Sequence, residues 1–194
     1  MTQKPEQRLR FFLYSIHQNL PQFFVMETLM LTTERLIIRP LTLDDAAFAL
    51  ALYNEPSFLQ YIGDKGVRTL EDARTNLEQG ALASYQTYGF GMYKVLLQDG
   101  TAIGLCGLIQ RDFLPVPDLG YAYFPQFTGQ GYALEAAQAV VAYARTLQLT
   151  ELQAIVSPQN LASKKLLEKV GMLPIAPVLV PHKNEWVDAY QLQL

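Results

Sequence analysis

The sequence holds one cysteine, two histidines and one tryptophan in 194 residues. Nowhere does it reach the roughly 18 consecutive apolar residues that span a bilayer, so no membrane partner is expected. A lone Cys106 excludes an internal disulfide and fits a reducing compartment, which points to the cytoplasm. With only His17 and His182 beside it, a zinc site lacks ligands, and no metal is expected. Positive charge is short as well, the net charge being −3. Nucleic acid is thereby disfavoured as a ligand, because phosphate backbones are met by clustered Lys and Arg. What is present is 50% apolar and 17% charged, enough for one sizeable core with a short appendage.

The appendage falls at the N-terminus. In residues 1–28, Lys4, Arg8 and Arg10 precede the run Phe11-Phe12-Leu13-Tyr14-Ser15-Ile16, like the start of a secretory signal. The run is too short, and His17-Gln18-Asn19 stands where small residues would mark cleavage. Residues 1–28 are therefore read as an extension, either a loosely held helix or residues ahead of a start at Met26. The domain itself occupies 29–194.

Turn residues and apolar spacing predict the order of elements. Arg35–Arg39 reads as a strand stopped by Pro40. Thr42-Leu43-Asp44-Asp45 opens a helix to Tyr53 that Glu55-Pro56 breaks. A second helix covers Glu71–Tyr85. Gly91–Leu97 and Ala102–Ile109 form a hairpin about Gln98-Asp99-Gly100. After a loop at 111–117 come a strand at Leu119–Phe124, a helix from Gly131 to Leu147 and a strand at Leu152–Val156. A helix at Leu161–Val170, ended by Gly171, and strands near 175–180 and 186–193 complete the chain. The class is α/β (α+β), a mixed sheet with helices on both faces.

The loop Gln126-Phe127-Thr128-Gly129-Gln130-Gly131-Tyr132-Ala133 links a strand to an amphipathic helix. Unpaired N–H groups and the helix dipole suit an anion there, and two glycines allow close approach. A tight turn that simply needs glycine is the competing explanation. A P-loop is excluded because Tyr132 follows Gly131 where Lys is required. A dinucleotide fingerprint is excluded because Leu134 holds the third small-residue position.

Gln126-x-x-Gly129-x-Gly131 resembles the acetyl-CoA pyrophosphate loop of the GCN5-related N-acetyltransferase (GNAT) superfamily. Leu119-Gly120-Tyr121, Thr33-Glu34-Arg35-Leu36-Ile37-Ile38-Arg39-Pro40 and the segment from Asn160 to Met172 are similar to its RimJ/RimL-type branch, which acetylates ribosomal protein N-termini. The likeness runs in order over residues 29–194. It implies a mostly antiparallel sheet of about seven strands with a cleft between the fourth and fifth. It also implies acetyl-CoA as co-substrate, an amine acceptor, and a monomer or homodimer.

Carried over by position, the resemblance gives Thr128, Gly129, Gln130, Gly131, Tyr132 and Ala133 the CoA pyrophosphate. Tyr123 and Phe124 end the strand that pairs with the pantetheine arm, and Asn160 bonds that arm or caps its own helix. Many members place an acidic tyrosine where this chain has Leu167. In the resembling branch the proton donor matches Ser163, which shares the inward stripe of its helix; a purely structural serine is the alternative. Asp118 is the candidate base, set against a plain surface charge. Tyr121 lines the cleft or packs in the core, and Trp186 belongs to the sheet core or the acceptor pocket. Cys106 reads as core. Lys164 and Lys165 are candidates for the CoA 3′-phosphate, or are simply solvated. Reaction is expected by direct attack of a neutral amine, with a backbone N–H near Tyr123 meeting the oxyanion. The acceptor is a protein N-terminus or a small amine; a non-catalytic acyl-CoA-binding module is the third possibility.

Overall fold

Alternating apolar residues draw the chain into one nine-stranded sheet, described by a computed structural model over residues 10–11 and 30–194. Its strands are β1 (Arg10–Phe11), β2 (Leu31–Thr32), β3 (Leu36–Pro40), β4 (Met92–Leu97), β5 (Ala102–Ile109), β6 (Asp118–Tyr123), β7 (Glu151–Val156), β8 (Leu173–Val180) and β9 (Glu185–Gln193), with the last two exchanged in spatial order. Every pairing is antiparallel except β6 with β7. The expected class therefore holds, with two-residue strands β1 and β2 raising the count above seven. Of the extension 1–28, only Arg10–Phe11 lies within the described residues, paired with Leu31 and Thr32. The expected alternatives for the remainder fall outside them.

Helices cover both faces. On one lie α1 (Ala46–Tyr53), α2 (Pro56–Tyr61), α3 (Leu70–Leu77) and α4 (Ala83–Tyr88), the last two joined through a π turn at Glu78–Leu82. Pro56 does more than end α1: at the first position of α2 its missing N–H costs nothing, so it starts a helix that the sequence reading left out. The other face carries α5 (Tyr132–Thr146) and α6 (Leu161–Val170). Ala137, Val140 and Ala144 of α5 are fully buried over the sheet, with Cys106 beneath them in the core as expected. Burial pushes the Cys106 thiol up to about 12, which keeps it protonated.

Under α1 sits a compact ion cluster. Asp45, 4% exposed, accepts from Arg39 Nη1 and Nη2 at 2.8 and 2.9 Å and from Lys94 Nζ at 2.7 Å. Trp186, on β9 opposite Leu179 of the edge strand β8, is 64% exposed, so it lies outside the sheet core.

Candidate active site

β6 leads through Phe124 and a 3-10 turn at Pro125–Phe127 to Gly129 and Gly131, whose φ angles are +75° and +84°. Any other residue is strained there. At Gly131 an added Cβ would also stand 3.3 Å from Arg35 Nη2. Gly131 is the N-cap of α5 and offers no side chain, and the first intrahelical bond is Glu135 N–H to its carbonyl at 3.1 Å. The N–H groups of Tyr132, Ala133 and Leu134 are thus left without intrahelical partners. Thr128 Oγ1 donates to the Pro125 carbonyl and Gln130 Nε2 to that of Gln126, both at 2.8 Å. These side chains shape the loop without engaging the amides from Gly129 onward.

The loop is clamped from outside by the Thr33-Glu34-Arg35 motif, to which the sequence assigned no role. Glu135 accepts from Thr33 Oγ1 at 2.5 Å, the Arg35 backbone at 3.0 Å and Arg35 Nε at 2.7 Å. Arg35 Nη1 donates to the Gln130 carbonyl at 3.0 Å, and its guanidinium covers the Tyr132 ring at 4.6 Å. Burial alone would raise the Glu135 pKa, but the bonds from Thr33 and Arg35 outweigh it and hold the carboxyl below its ordinary value.

The cleft arises because β6 and β7 meet at a single register pair, Asp118 with Gln153, next to a Gln153 N–H to Pro117 carbonyl bond of 3.0 Å. Beyond that point the strands part. Phe124 N–H bonds the Ile103 carbonyl on β5. By antiparallel alternation, the backbone groups of Leu119, Tyr121 and Tyr123 then point into the gap. In the resemblance this is the cleft between fourth and fifth strands; along this chain it separates the sixth from the seventh.

Two expected site residues meet across the gap. Tyr121 Oη lies 2.6 Å from Ser163 Oγ, and burial pushes the Tyr121 phenol up while the Ser163 bond opposes it. Asn160 Oδ1 accepts the Ser163 N–H at 3.0 Å and so caps α6. Tyr123, on the same strand face as Tyr121, is buried, and its phenol has no hydrogen-bond partner among the described residues. Lys164 is engaged by Asp188 of β9, so it is not simply solvated.

Asp118 is 2% exposed, which overturns its reading as a surface charge. Burial pushes its carboxyl up to about 6 against the pull of Arg111, whose Nε donates to Oδ1 at 3.1 Å. Arg111 went unremarked, although it is the lone basic residue between Lys94 and Arg145. Gln153 was missed too. It is 7% exposed, in register with Asp118, and its Oε1 has no partner among the described residues. Among those residues no group of three or more His, Cys, Asp or Glu side chains is arranged to hold a metal.

Residues 35–173 match the acetyltransferase (GNAT) domain family. The uncharacterized N-acetyltransferase YnaD of Bacillus subtilis is 29% identical over 166 residues, 82% of this chain and 93% of that protein. An acetyltransferase structure from Agrobacterium tumefaciens superposes with TM-score 0.72 at 27% identity, covering 93% and 98% of the two chains. A ribosomal L7/L12 α-N-protein acetyltransferase, RimL, solved with coenzyme A, shares the fold at TM-score 0.72 and 19% identity, covering 84% and 96%. With the family match reaching from β3 to the start of β8 and a relative alike over nearly its whole length, the chain belongs to the GNAT family of N-acetyltransferases.

Proposed function

We propose that the protein transfers an acetyl group from acetyl-CoA to a protein N-terminal α-amine, by direct attack in a ternary complex in the cytoplasm. As a GNAT enzyme it takes acetyl-CoA as co-substrate. The free amides after Gly129 suit the pyrophosphate, and the unpaired edge of β6 suits the pantetheine arm. Tyr121 N–H, which also faces the gap and stands nearer Asp118 along the strand, is the donor proposed for the oxyanion. Ser163, backed by the Tyr121 phenol, delivers the proton that the departing thiolate takes up.

The observation that carries the choice of acceptor is the buried carboxyl of Asp118. With its pKa pushed up to about 6, it is ionised at neutral pH yet basic enough to take a proton. An α-amine near pKa 8 stands roughly two units above it, and a lysine amine near 10.4 more than four. The first transfer costs about 3 kcal/mol and the second about 6 kcal/mol. The Asp118 base is therefore matched to an α-amine.

Thiol release from acetyl-CoA with a panel of peptides and small amines tests this reading. Peptides with free N-termini are expected to turn over, and ε-amines of N-terminally blocked peptides are not. Preferential turnover of polyamines or drugs would replace it with a small-molecule acceptor. Tight acetyl-CoA binding without release by any amine would indicate a binding module.

A further inference from the structure

Three loops converge on the sheet face opposite α5 and α6. In the β8–β9 turn, His182 packs against Phe113 of the β5–β6 loop at 6.5 Å, and Lys183 Nζ donates to the Ile62 carbonyl at 2.9 Å. The Lys183 ammonium sits so close to the α2–α3 loop that a Cβ on Gly63 would fall 2.7 Å from it. Lys65 follows two residues later on that loop. Arg111 links this rim to the interior: its guanidinium lies 6.0 Å from the Phe113 ring and bonds Asp118.

The charges here balance in number, Asp64, Asp112, Asp118 and Glu185 against Lys65, Arg68, Arg111 and Lys183, but they do not all pair off. Asp64 is taken by Arg68 and Asp118 by Arg111. Asp112 and Glu185, the other carboxylates on these segments, form no ion pair among the described residues, and neither do Lys65 and Lys183. The Lys65 side chain keeps contact with solvent, yet desolvation and the Arg111 and Lys183 charges all pull its pKa down, with no carboxylate opposing them. A second observation lies inside. Leu152, Ala154 and Val156 turn into the core under α5 and α6, so Gln153 faces the other way, beside Asp118. Its buried Oε1 is an acceptor without a donor, a costly state unless something supplies an N–H.

We propose that the acceptor is an acidic amine, whose amino group donates to Gln153 Oε1 and Asp118 while a side-chain carboxylate it carries is bound by Lys65 and Lys183 at the rim. This rests on the acetyl-transfer reading and narrows its substrate to an α-amine bearing a side-chain carboxylate, either an acidic amino acid or an acidic protein N-terminus.

The test compares kcat/KM for matched acceptors: L-aspartate against L-asparagine, and the C-terminally amidated peptides Ser-Asp-Glu-Ala against Ser-Asn-Gln-Ala. The acidic member of at least one pair is expected to be favoured about tenfold, the effect of one partly desolvated ion pair. The pair that shows the preference identifies the source of the carboxylate. Lys65→Gln and Lys183→Gln each bring the ratio toward one, and Lys169→Gln, on α6, leaves it in place. Gln153→Leu raises KM for acidic and neutral acceptors alike. A ratio near or below one in the unaltered protein, or one that Lys65→Gln does not move, overturns the proposal. Calorimetric binding of N-acetyl-aspartate against N-acetyl-asparagine to the CoA-loaded protein decides it separately. If no amine turns over, the reaction assignment fails, and this binding difference still confirms or rejects the anion site.

Discussion

Tyr121 Oη and Ser163 Oγ, borne by β6 and α6 on opposite sides of the cleft, lie 2.6 Å apart. In the proposed acid role one hydroxyl can refill the other as it loses a proton, so the two are expected to act as a unit. Ser163→Ala and Tyr121→Phe are each expected to lower kcat about 100-fold with acetyl-CoA affinity retained. The double variant falls little further, because neither hydroxyl works alone. Multiplicative losses in the double variant would show two independent roles.

As the proposed base, Asp118 is expected to set the acid limb of the pH profile. Its carboxyl must be ionised to accept a proton, so kcat/KM should rise with pH through about 6 and level off above. Asp118→Asn removes that limb and lowers the plateau by about 100-fold. Arg111→Gln, which takes away the pull that lowers this pKa, moves the limb to higher pH. Profiles taken at saturating acetyl-CoA check both.

The loop proposed to hold the pyrophosphate depends on backbone geometry. At φ of +75°, Gly129→Val is strained by about 1–2 kcal/mol, so the loop must shift although a Cβ there meets open space. Acetyl-CoA binding is expected to weaken at least tenfold, with the circular dichroism spectrum unchanged. Unaltered affinity would sink the assignment of this loop.

Glu135→Gln tests the clamp. The Arg35 side chain is 43% exposed, so the loss in global stability should stay under about 1 kcal/mol. Acetyl-CoA affinity should fall more visibly, by about fivefold, because the Gln130–Tyr132 backbone loses its anchor. Denaturant unfolding and isothermal titration separate the two effects.

Asp45 governs acid stability. Burial would raise its pKa, but bonds from Arg39, Lys94 and the Thr42 backbone hold the carboxyl well below the usual range. A depressed carboxylate stabilises the fold above its unfolded pKa near 3.9 and loses that contribution as pH falls toward its folded value. Asp45→Asn strands two cations and should cost about 3 kcal/mol at neutral pH, with the deficit shrinking below about pH 4. Urea unfolding at pH 7 and pH 3 checks the sign.

The tight strand-to-helix loop was legible in the sequence because glycine is the residue that permits its backbone geometry. The placement of Ser163 toward the cleft was legible by its place on a helical stripe. Asp118 was identified as a residue and misjudged in setting: its burial comes from the 111–117 loop folding over it with Arg111, a tertiary event with no local signature. Gln153 was invisible because its significance lies in which residue stands opposite, and strand register between β6 and β7 cannot be read from either strand. Pro56 shows the same limit on a smaller scale, since one residue can both stop a helix and start the next.

Because β6 touches β7 at one register pair, the halves of the sheet on either side of the gap are joined there by little backbone bonding. The amides of Tyr121 and Tyr123 should exchange with deuterium quickly in the free protein, though they belong to a central strand. A bound donor that covers this edge should slow them by orders of magnitude and raise the melting temperature together with its concentration. The middle of the sheet, ordinarily the most protected part of such a fold, is here expected to draw its local stability from the substrate.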